Sequence, residues 1–222
     1  MDGEIQGKLF WIGHSSFYIK GKDTTIFIDP FRVGKTSLKA DIILITHPHF
    51  DHFSREDIEK VSKDGTVIVA SEGTIEGKED ENSYIARPGF KTKILDIGVE
   101  AVPAYNVKEV RASFHPKSNG WVGYVIEMDG MRFYHAGDTD KIDEMETLGK
   151  LDVALLPIGG TYTMDIDDAI EAADLIKAKT TIPMHYKNLL GKEGSDAVED
   201  KFVKEVSGAK IMKEVNKPTF SF

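Results

Sequence analysis

Three histidines and one aspartate fall within the six residues of the segment His47-Pro48-His49-Phe50-Asp51-His52. On a loop, His47 and His49 can point the same way, while Asp51 and His52 turn toward a second position. Imidazole nitrogens and carboxylate oxygens together suit zinc, manganese or iron. The spacing therefore predicts a metal-binding loop whose ligands are divided between two metal positions. An exposed polar turn is the alternative interpretation, and the strand pattern that precedes the loop disfavours it.

The chain before and after this loop predicts a strand on one side and a helix on the other. Apart from Asp41, residues 41–46 form a continuous run of β-branched and apolar side chains, which is typical of a strand buried on both faces. Ser54 predicts the N-cap of a helix over 55–63. Further strands are predicted at 9–12, 17–20, 24–28 and 66–70. The loop should thus lie at one edge of a sheet.

The second half of the chain repeats the order of the first. A hairpin over 122–128 and 131–135 is followed by a strand at 151–156, a helix over 166–176 that Asp165 caps, and a strand at 180–184. Asp138 and His185 follow strands of this second copy. One copy cannot cover both faces of its own sheet, whereas two copies packed sheet to sheet can. We expect an internally duplicated α/β sandwich forming one domain over 1–222, completed by a helix over 195–206 and a strand at 209–214.

The composition narrows the possible functions. The net charge of −9 argues against a general nucleic-acid binder, because phosphate contacts need clustered Lys and Arg. The absence of cysteine excludes disulfides, thiolate nucleophiles and Cys-ligated zinc. Residues 1–4 do not resemble the start of a secretory signal, and no apolar run approaches the roughly 20 residues needed to cross a bilayer. These features predict a cytoplasmic protein with no membrane partner.

The pattern His-x-His-x-Asp-His resembles the signature of the metallo-β-lactamase superfamily. Gly137-Asp138-Thr139 and Met184-His185-Tyr186 resemble its bridging-aspartate and final-histidine segments. Ile12-Gly13-His14-Ser15, Phe27-Ile28-Asp29-Pro30 and Leu156-Pro157-Ile158-Gly159-Gly160 resemble one branch in particular, the compact stand-alone metal-dependent hydrolases related to L-ascorbate-6-phosphate lactonase. The fold that this resemblance implies is the four-layer αββα sandwich, in the α/β class (α+β in some schemes).

The resemblance also implies a role for each ligand. His47 and His49 would bind a first divalent ion. The second ion would be bound by Asp51, His52 and His185. Asp138 would bridge the two ions. Zinc is the expected metal, with manganese or iron as alternatives. Water held between two such ions is deprotonated near neutral pH and attacks a carbonyl or phosphorus centre. Asp51 and His52 are therefore also the expected catalytic residues, with Asp51 orienting the attacking hydroxide.

One position departs from the family pattern. The family has a further histidine on the first metal, soon after a strand corresponding to 99–103. This chain has Asn106 there, and His115 follows nine residues later. Three interpretations remain open: His115 is the ligand, Asn106 is a weak ligand or a substrate contact, or the first site is incomplete.

Several other residues are weaker candidates. His14 is predicted to contact substrate or support the ligands, and Asp29 is predicted to orient ligands, whereas His135 is expected to be a buried structural or supporting histidine. Tyr162, with backbone N–H groups of the helix-entry loop 159–164, is predicted to receive an anionic part of the substrate. Lys187 is predicted to pair with a substrate carboxylate or phosphate. A hydrogen-bonded structural histidine, a plain helix-entry loop and a surface lysine are the respective alternatives.

These features favour a hydrolase that cleaves an ester-type bond, by lactone opening or phosphodiester cleavage, in a small polar substrate. A nuclease of the same superfamily is the alternative enzyme, and the acidic charge disfavours it. A diiron redox role belongs to relatives that carry a flavin domain, for which this chain has no room. A metal-binding protein without catalysis is the remaining alternative, which Asn106 makes credible. Association into a homo-oligomer is left open.

Overall fold

The computed structural model describes residues 5–75 and 81–215. These residues form two compact units, one reaching to Ala86 and including 212–215, the other spanning 87–211. The interpretation of residues 1–4 lies outside the described residues. No helix in the described ranges is long and apolar enough to cross a membrane.

The first unit is built on a six-stranded sheet with strands in the order β1 to β6. The strands are β1 Leu9–Gly13, β2 Ser16–Lys20, β3 Thr25–Ile28, β4 Ile42–Ile45, β5 Val67–Ser71 and β6 Ser83–Ala86. β1, β2 and β3 pair antiparallel, and β3 to β6 pair in parallel. β1, β3, β4 and β5 therefore end at the same edge. β3 and β4 are buried at every position, as their apolar sequences predict.

The single helix that the structure describes in this unit, α1 (Arg55–Val61), connects β4 to β5 and begins where the sequence predicts. Ser54 Oγ accepts a hydrogen bond from Asp57 N at 3.3 Å and donates to Asp57 Oδ2 at 2.8 Å. Ile58 and Val61 face a core cluster that includes Ile43 and Ile45.

The Ser54→Ala substitution should destabilise the protein modestly, because it removes this N-cap. We expect the free energy of unfolding to fall by about 1 kcal/mol, the usual effect of losing a serine cap. Urea denaturation measures this, with Ser62→Ala as a comparison at the other end of α1. An unchanged unfolding midpoint in Ser54→Ala would contradict the role of the cap.

The second unit is built on a six-stranded sheet in the order β12-β11-β10-β9-β8-β7. Its strands are β7 Lys91–Ile94, β8 Ile97–Pro103, β9 Val122–Met128, β10 Met131–His135, β11 Val153–Pro157 and β12 Thr180–Met184. β7 to β10 pair antiparallel, and β10 to β12 pair in parallel. The helix α2 (Ile166–Ile176) connects β11 to β12, and α3 (Lys187–Glu205) follows β12.

The internal duplication is confirmed by the topology. In each unit a hairpin is followed by a parallel strand, a helix and a further parallel strand: β2-β3-β4-α1-β5 in the first, β9-β10-β11-α2-β12 in the second. The predicted mixed α/β class, with two sheets, is likewise confirmed. That residues 1–222 form one domain stays a prediction.

Three predicted details are wrong or incomplete. β6 and β7 were not predicted, because their sequences are partly polar and most of their side chains are only partly buried or exposed. α3 begins at Lys187 instead of residue 195, and Gly191 interrupts it with φ 66° and ψ −173°. No regular strand forms at 209–214, where Ala209 and Glu214 each make only an isolated β-bridge.

Candidate metal centre

In the first unit, the loop from His47 to His52 leaves the carboxyl end of β4. Thr46 Oγ1 donates to Asp29 Oδ2 at 2.6 Å and lies 3.0 Å from His47 Nδ1. Because the one hydroxyl proton is directed to Asp29, the hydroxyl oxygen accepts the Nδ1–H of His47. His47 therefore presents Nε2 as its ligand atom. That atom lies 3.0 Å from His49 Nδ1, somewhat less than the roughly 3.3 Å expected for two nitrogens on one tetrahedral zinc ion.

Asp29 fixes His52 in the same way. Its fully buried carboxylate accepts from Thr46 N at 2.8 Å through Oδ1, while Oδ2 lies 2.7 Å from His52 Nδ1. A carboxylate on Nδ1 orients the ring and makes Nε2 the ligand atom. Asp29 has φ 44°, a left-handed conformation that is unusual for a residue other than glycine and recurs at functional sites. This geometry is what the predicted orienting role of Asp29 requires.

His14 lies among the predicted ligands of this unit. Its Nε2 is 2.9 Å from Asp51 Oδ2, and Trp11 Nε1 donates to the His14 carbonyl at 2.9 Å. Single ligand atoms of His14, Asp51 and His52 all lie within 4.8 Å of one another. His14 thus supports Asp51 directly, and a contact with substrate stays a prediction.

In the second unit, Asp138 follows β10 and lies between two predicted ligands. Its Oδ2 is 3.1 Å from His185 Nε2 and 3.3 Å from His115 Nε2. All three side chains are almost completely buried. One carboxylate oxygen close to two imidazole nitrogens is what the predicted bridging role of Asp138 requires, and that role stays a prediction. His135 is also fully buried, and its Nδ1 accepts the Gly137 N–H at 3.2 Å, which supports the turn into Asp138.

The structure brings His115, rather than Asn106, to Asp138. Asn106 Oδ1 lies 2.7 Å from His115 Nδ1, and Asn106 N donates to the His115 carbonyl at 2.8 Å. Asn106 Nδ2 donates to Asp140 Oδ1 at 3.2 Å. Asn106 therefore contacts Nδ1 of His115, whereas the other ring nitrogen, Nε2, is the one near Asp138. That Asn106 contacts substrate stays a prediction.

The two remaining substrate candidates have protein partners. Tyr162 is 38% exposed and packs edge-to-face against Phe114, with ring centroids 4.8 Å apart. Lys187 Nζ lies 3.2 Å from Glu199 Oε1, which the Tyr186 hydroxyl also contacts. An anionic substrate group would have to compete with Glu199 for Lys187.

The helix-entry loop 159–164 differs from the expected anion site. Gly160 N donates to the Met164 carbonyl at 2.9 Å, and Met164 N donates to the Thr139 carbonyl at 3.2 Å. The helix begins with acidic residues, since Asp165 is the N-cap and Asp167 and Asp168 lie in the first turn. The negative charge of these carboxylates disfavours binding of an anion at the start of α2.

The donor sets of both units fit divalent metal ions. They consist of imidazole nitrogens and carboxylate oxygens at buried positions, and the structure fixes the second nitrogen of His47, His52 and His115 with its own contact. Such contacts are the usual supports of metal-binding histidines. Nitrogen and oxygen donors of this kind suit zinc, iron or manganese.

Residues 8–185 match the family described as the beta-lactamase superfamily domain. The chain belongs to the metallo-β-lactamase superfamily. Among curated relatives in this superfamily, it is 38% identical over 198 residues to a UPF0173 metal-dependent hydrolase of Thermococcus onnurineus, covering 81% of this chain and 84% of the relative. It is 39% identical over 192 residues to a UPF0173 metal-dependent hydrolase of Thermoplasma acidophilum, covering 81% and 83%.

Solved structures agree with this membership of the metallo-β-lactamase superfamily. A candidate metal-dependent hydrolase of Parabacteroides distasonis has a TM-score of 0.81 at 33% identity, covering 93% of this chain and 92% of that one. Igni18, a metallo hydrolase of Ignicoccus hospitalis, has a TM-score of 0.71 at 28% identity, covering 96% and 98%. The predicted family is confirmed.

Sequence reasoning missed residues that support the metallo-β-lactamase site without being ligands. They are Thr46, Arg111 and Asp140. Thr46 and Asp140 lie one and two residues from a predicted ligand, and this proximity could have pointed to them. Arg111 had no such signal, because its partners Asp140 and Asp168 are distant in sequence.

Proposed function

We propose that this chain is a hydrolase that uses two divalent metal ions, with zinc as the expected metal, to cleave an ester-type bond in a small polar substrate. The observation that carries the proposal is the position of Asp138 Oδ2, close to Nε2 of both His115 and His185. The names of the relatives, metal-dependent hydrolases, support the reaction class. The ligands are those predicted from the family pattern, with His115 completing the set: His47, His49, Asp51, His52, His115, Asp138 and His185.

The chain's own residues have distinct tasks in this reaction. When bound, divalent ions lower the pKa of coordinated water and polarise the bond to be cleaved. Asp51 is the proposed group that accepts a hydrogen bond from the attacking water and orients it. His14 holds the carboxylate in place for this task, because its Nε2 is 2.9 Å from Asp51 Oδ2. The side chain of Asp51 is 21% exposed, which leaves it accessible to water.

The substrate is proposed to be a lactone or a phosphodiester of modest size. The net charge of −9 disfavours long polyanions, because the surface provides no excess of cations to bind them. Phe114 and Tyr162 present two half-exposed rings beside the loop that carries His115. Such rings suit the carbon skeleton of a small substrate.

The proposal is tested by metal analysis combined with a substrate panel. Protein purified without added metal should contain close to two equivalents of divalent metal. Wild type, Asp51→Asn and Asp64→Asn should then be assayed on lactones, phosphodiesters and thioesters. Asp64 is the matched control because it is an exposed aspartate in the same unit.

We expect Asp51→Asn to lower turnover by about 10²-fold or more, as is typical when a group that handles the reacting proton is lost. Asp64→Asn should match wild type. Full activity in Asp51→Asn would exclude this centre as the source of activity. Metal content well below two equivalents would overturn the dinuclear assignment.

A further inference from the structure

A continuous chain of buried polar groups runs from His115 to the start of α2. His115 Nδ1 contacts Asn106 Oδ1 at 2.7 Å, Asn106 Nδ2 contacts Asp140 Oδ1 at 3.2 Å, and Arg111 joins Asp140 to Asp168. His115, Asn106, Asp140 and Arg111 are each at most 5% exposed. We call these five residues the Asn106 relay. All of them lie in the second unit.

The contacts of Asp140 determine the orientation of the Asn106 amide. The Asp140 carboxylate accepts from Val107 N at 2.8 Å and from Lys108 N at 2.9 Å, and it also accepts from Arg111 Nε. An ionised carboxylate can only accept hydrogen bonds, so the end of the Asn106 amide that faces Asp140 must be the NH₂ group and not the carbonyl oxygen. The amide oxygen is thereby directed at His115.

The orientation of Asn106 in turn determines the tautomer of His115. An amide oxygen can only accept, so the His115 nitrogen that faces it must carry the hydrogen. Neutral imidazole carries one N–H, and with the hydrogen on Nδ1 the lone pair lies on Nε2. Nε2 is the atom that lies 3.3 Å from Asp138 Oδ2.

We infer that Asn106, held by Asp140, is a positioning residue that fixes His115 in the Nδ1–H tautomer and so makes His115 Nε2 a metal ligand. This inference rests on the proposed function for the role of His115. It explains the departure from the family pattern, since the asparagine that occupies the expected ligand position supports the histidine that replaces it.

Arg111 anchors the relay to neighbouring segments. Its guanidinium also bonds to Asp168 in the first turn of α2 and donates to the Gly160 carbonyl at 3.3 Å. Burial alone would raise the pKa of Asp168, but hydrogen bonds from Lys108 and Arg111 hold that pKa below its usual value. Arg111 thus fastens the loop that contains Asn106 and His115 to α2.

The first test reads the tautomer directly on the metal-free protein. Long-range ¹H–¹⁵N NMR of the ring nitrogens should show wild-type His115 protonated on Nδ1. Asn106→Leu removes both the acceptor for His115 and the donor for Asp140, so the signals of His115 should move toward a mixture of tautomers. Asn119→Leu, at a half-buried position of the same loop, is the matched control and should leave them unchanged.

The second test measures zinc affinity by competition with a chelator. Asn106→Leu should weaken binding of the affected ion by roughly 10- to 100-fold, the usual effect of losing a group that supports a metal-binding histidine. Asn106→Asp restores an acceptor for His115 and should recover the Nδ1–H tautomer, although two carboxylates then face each other. Asn119→Leu should bind zinc like wild type.

Two results would overturn the inference. One is a wild-type His115 without hydrogen on Nδ1, which needs no variant and remains decisive if Asn106→Leu fails to fold. The other is a folded Asn106→Leu that keeps both the Nδ1–H tautomer and the wild-type affinity. The tautomer measurement needs neither metal nor substrate, so it separates failure of this inference from failure of the proposed function.

Discussion

Replacing Asp29 with alanine is expected to lower the free energy of unfolding by about 3 kcal/mol, since each buried donor left without an acceptor costs about 1–3 kcal/mol. The carboxylate is fully buried and has three partners: Thr46 N at 2.8 Å, Thr46 Oγ1 at 2.6 Å and His52 Nδ1 at 2.7 Å. Alanine also tolerates the φ of 44° less well than aspartate does. Urea denaturation of Asp29→Ala measures the loss.

Asp29→Asn separates the effect on stability from the effect on the metal ligands. The asparagine oxygen can still accept from Thr46 N, but an NH₂ group then faces His52 Nδ1 and the Thr46 hydroxyl. His52 must then accept at Nδ1 and carry its hydrogen on Nε2. The Thr46 hydroxyl can now donate to His47 Nδ1, which favours moving the ring hydrogen of His47 to Nε2 as well. Both histidines lose the lone pair at Nε2.

We therefore expect Asp29→Asn to be more stable than Asp29→Ala, yet to bind zinc roughly 10- to 100-fold more weakly than wild type. Zinc affinity is measured by chelator competition, with Asp64→Asn as the exposed control. The orienting role of Asp29 would be refuted by a folded Asp29→Asn that binds zinc as tightly as wild type. Equal unfolding free energies for wild type and Asp29→Ala would refute the stability argument.

The parts of the fold that sequence predicts well are those with strong local patterns. β3 and β4 are runs of apolar, largely β-branched residues, and burial at every position follows from that composition. α2 combines an aspartate N-cap with an apolar stripe, and its observed start and end match the prediction. His47 and His185 are the predicted ligands that come at the ends of such strands, and the same reasoning places them there.

The edge strands and α3 were harder to predict because their patterns are weak. β7 has the sequence Lys-Thr-Lys-Ile, and most of its positions are at least partly exposed. α3 starts at Lys187, but the left-handed φ of Gly191 interrupts the helix before Ser195. Such a kink leaves no periodic signal before it.

The position of His115 could not be predicted because it depends on contacts that are distant in sequence. His115 lies in the loop between β8 and β9, where no hydrophobic periodicity specifies the conformation. Arg111 bonds to Asp140 and Asp168, which are 29 and 57 residues away, and these contacts hold the loop. Spacing alone could only leave His115 and Asn106 as alternatives.

Gly159→Ala is expected to have the second large effect, through the backbone of His185. A Cβ at residue 159 would overlap the carbonyl oxygen of His185 and lie 2.7 Å from Leu189 Cδ1. The leucine methyl group can rotate away, but the carbonyl can move only if His185 moves. His185 already has φ 58°, so its backbone has little freedom to adjust. Since His185 Nε2 lies 3.1 Å from Asp138 Oδ2, the displacement reaches the proposed metal ligands.

We expect Gly159→Ala to lower the free energy of unfolding by about 1–3 kcal/mol, as overpacking of a close contact usually does, and to weaken zinc binding as well. Gly98→Ala is the matched control, because its Cβ would meet Glu127 Cβ at 3.3 Å in the same unit. Neither glycine has a left-handed φ, so the two variants differ mainly in what the added methyl group contacts. The contact with Glu127 Cβ needs a shift of only a few tenths of an ångström, whereas the overlap with His185 can be relieved only by moving the backbone of a ligand residue and with it the imidazole. Wild-type zinc affinity in a folded Gly159→Ala would show that His185 does not depend on this close approach.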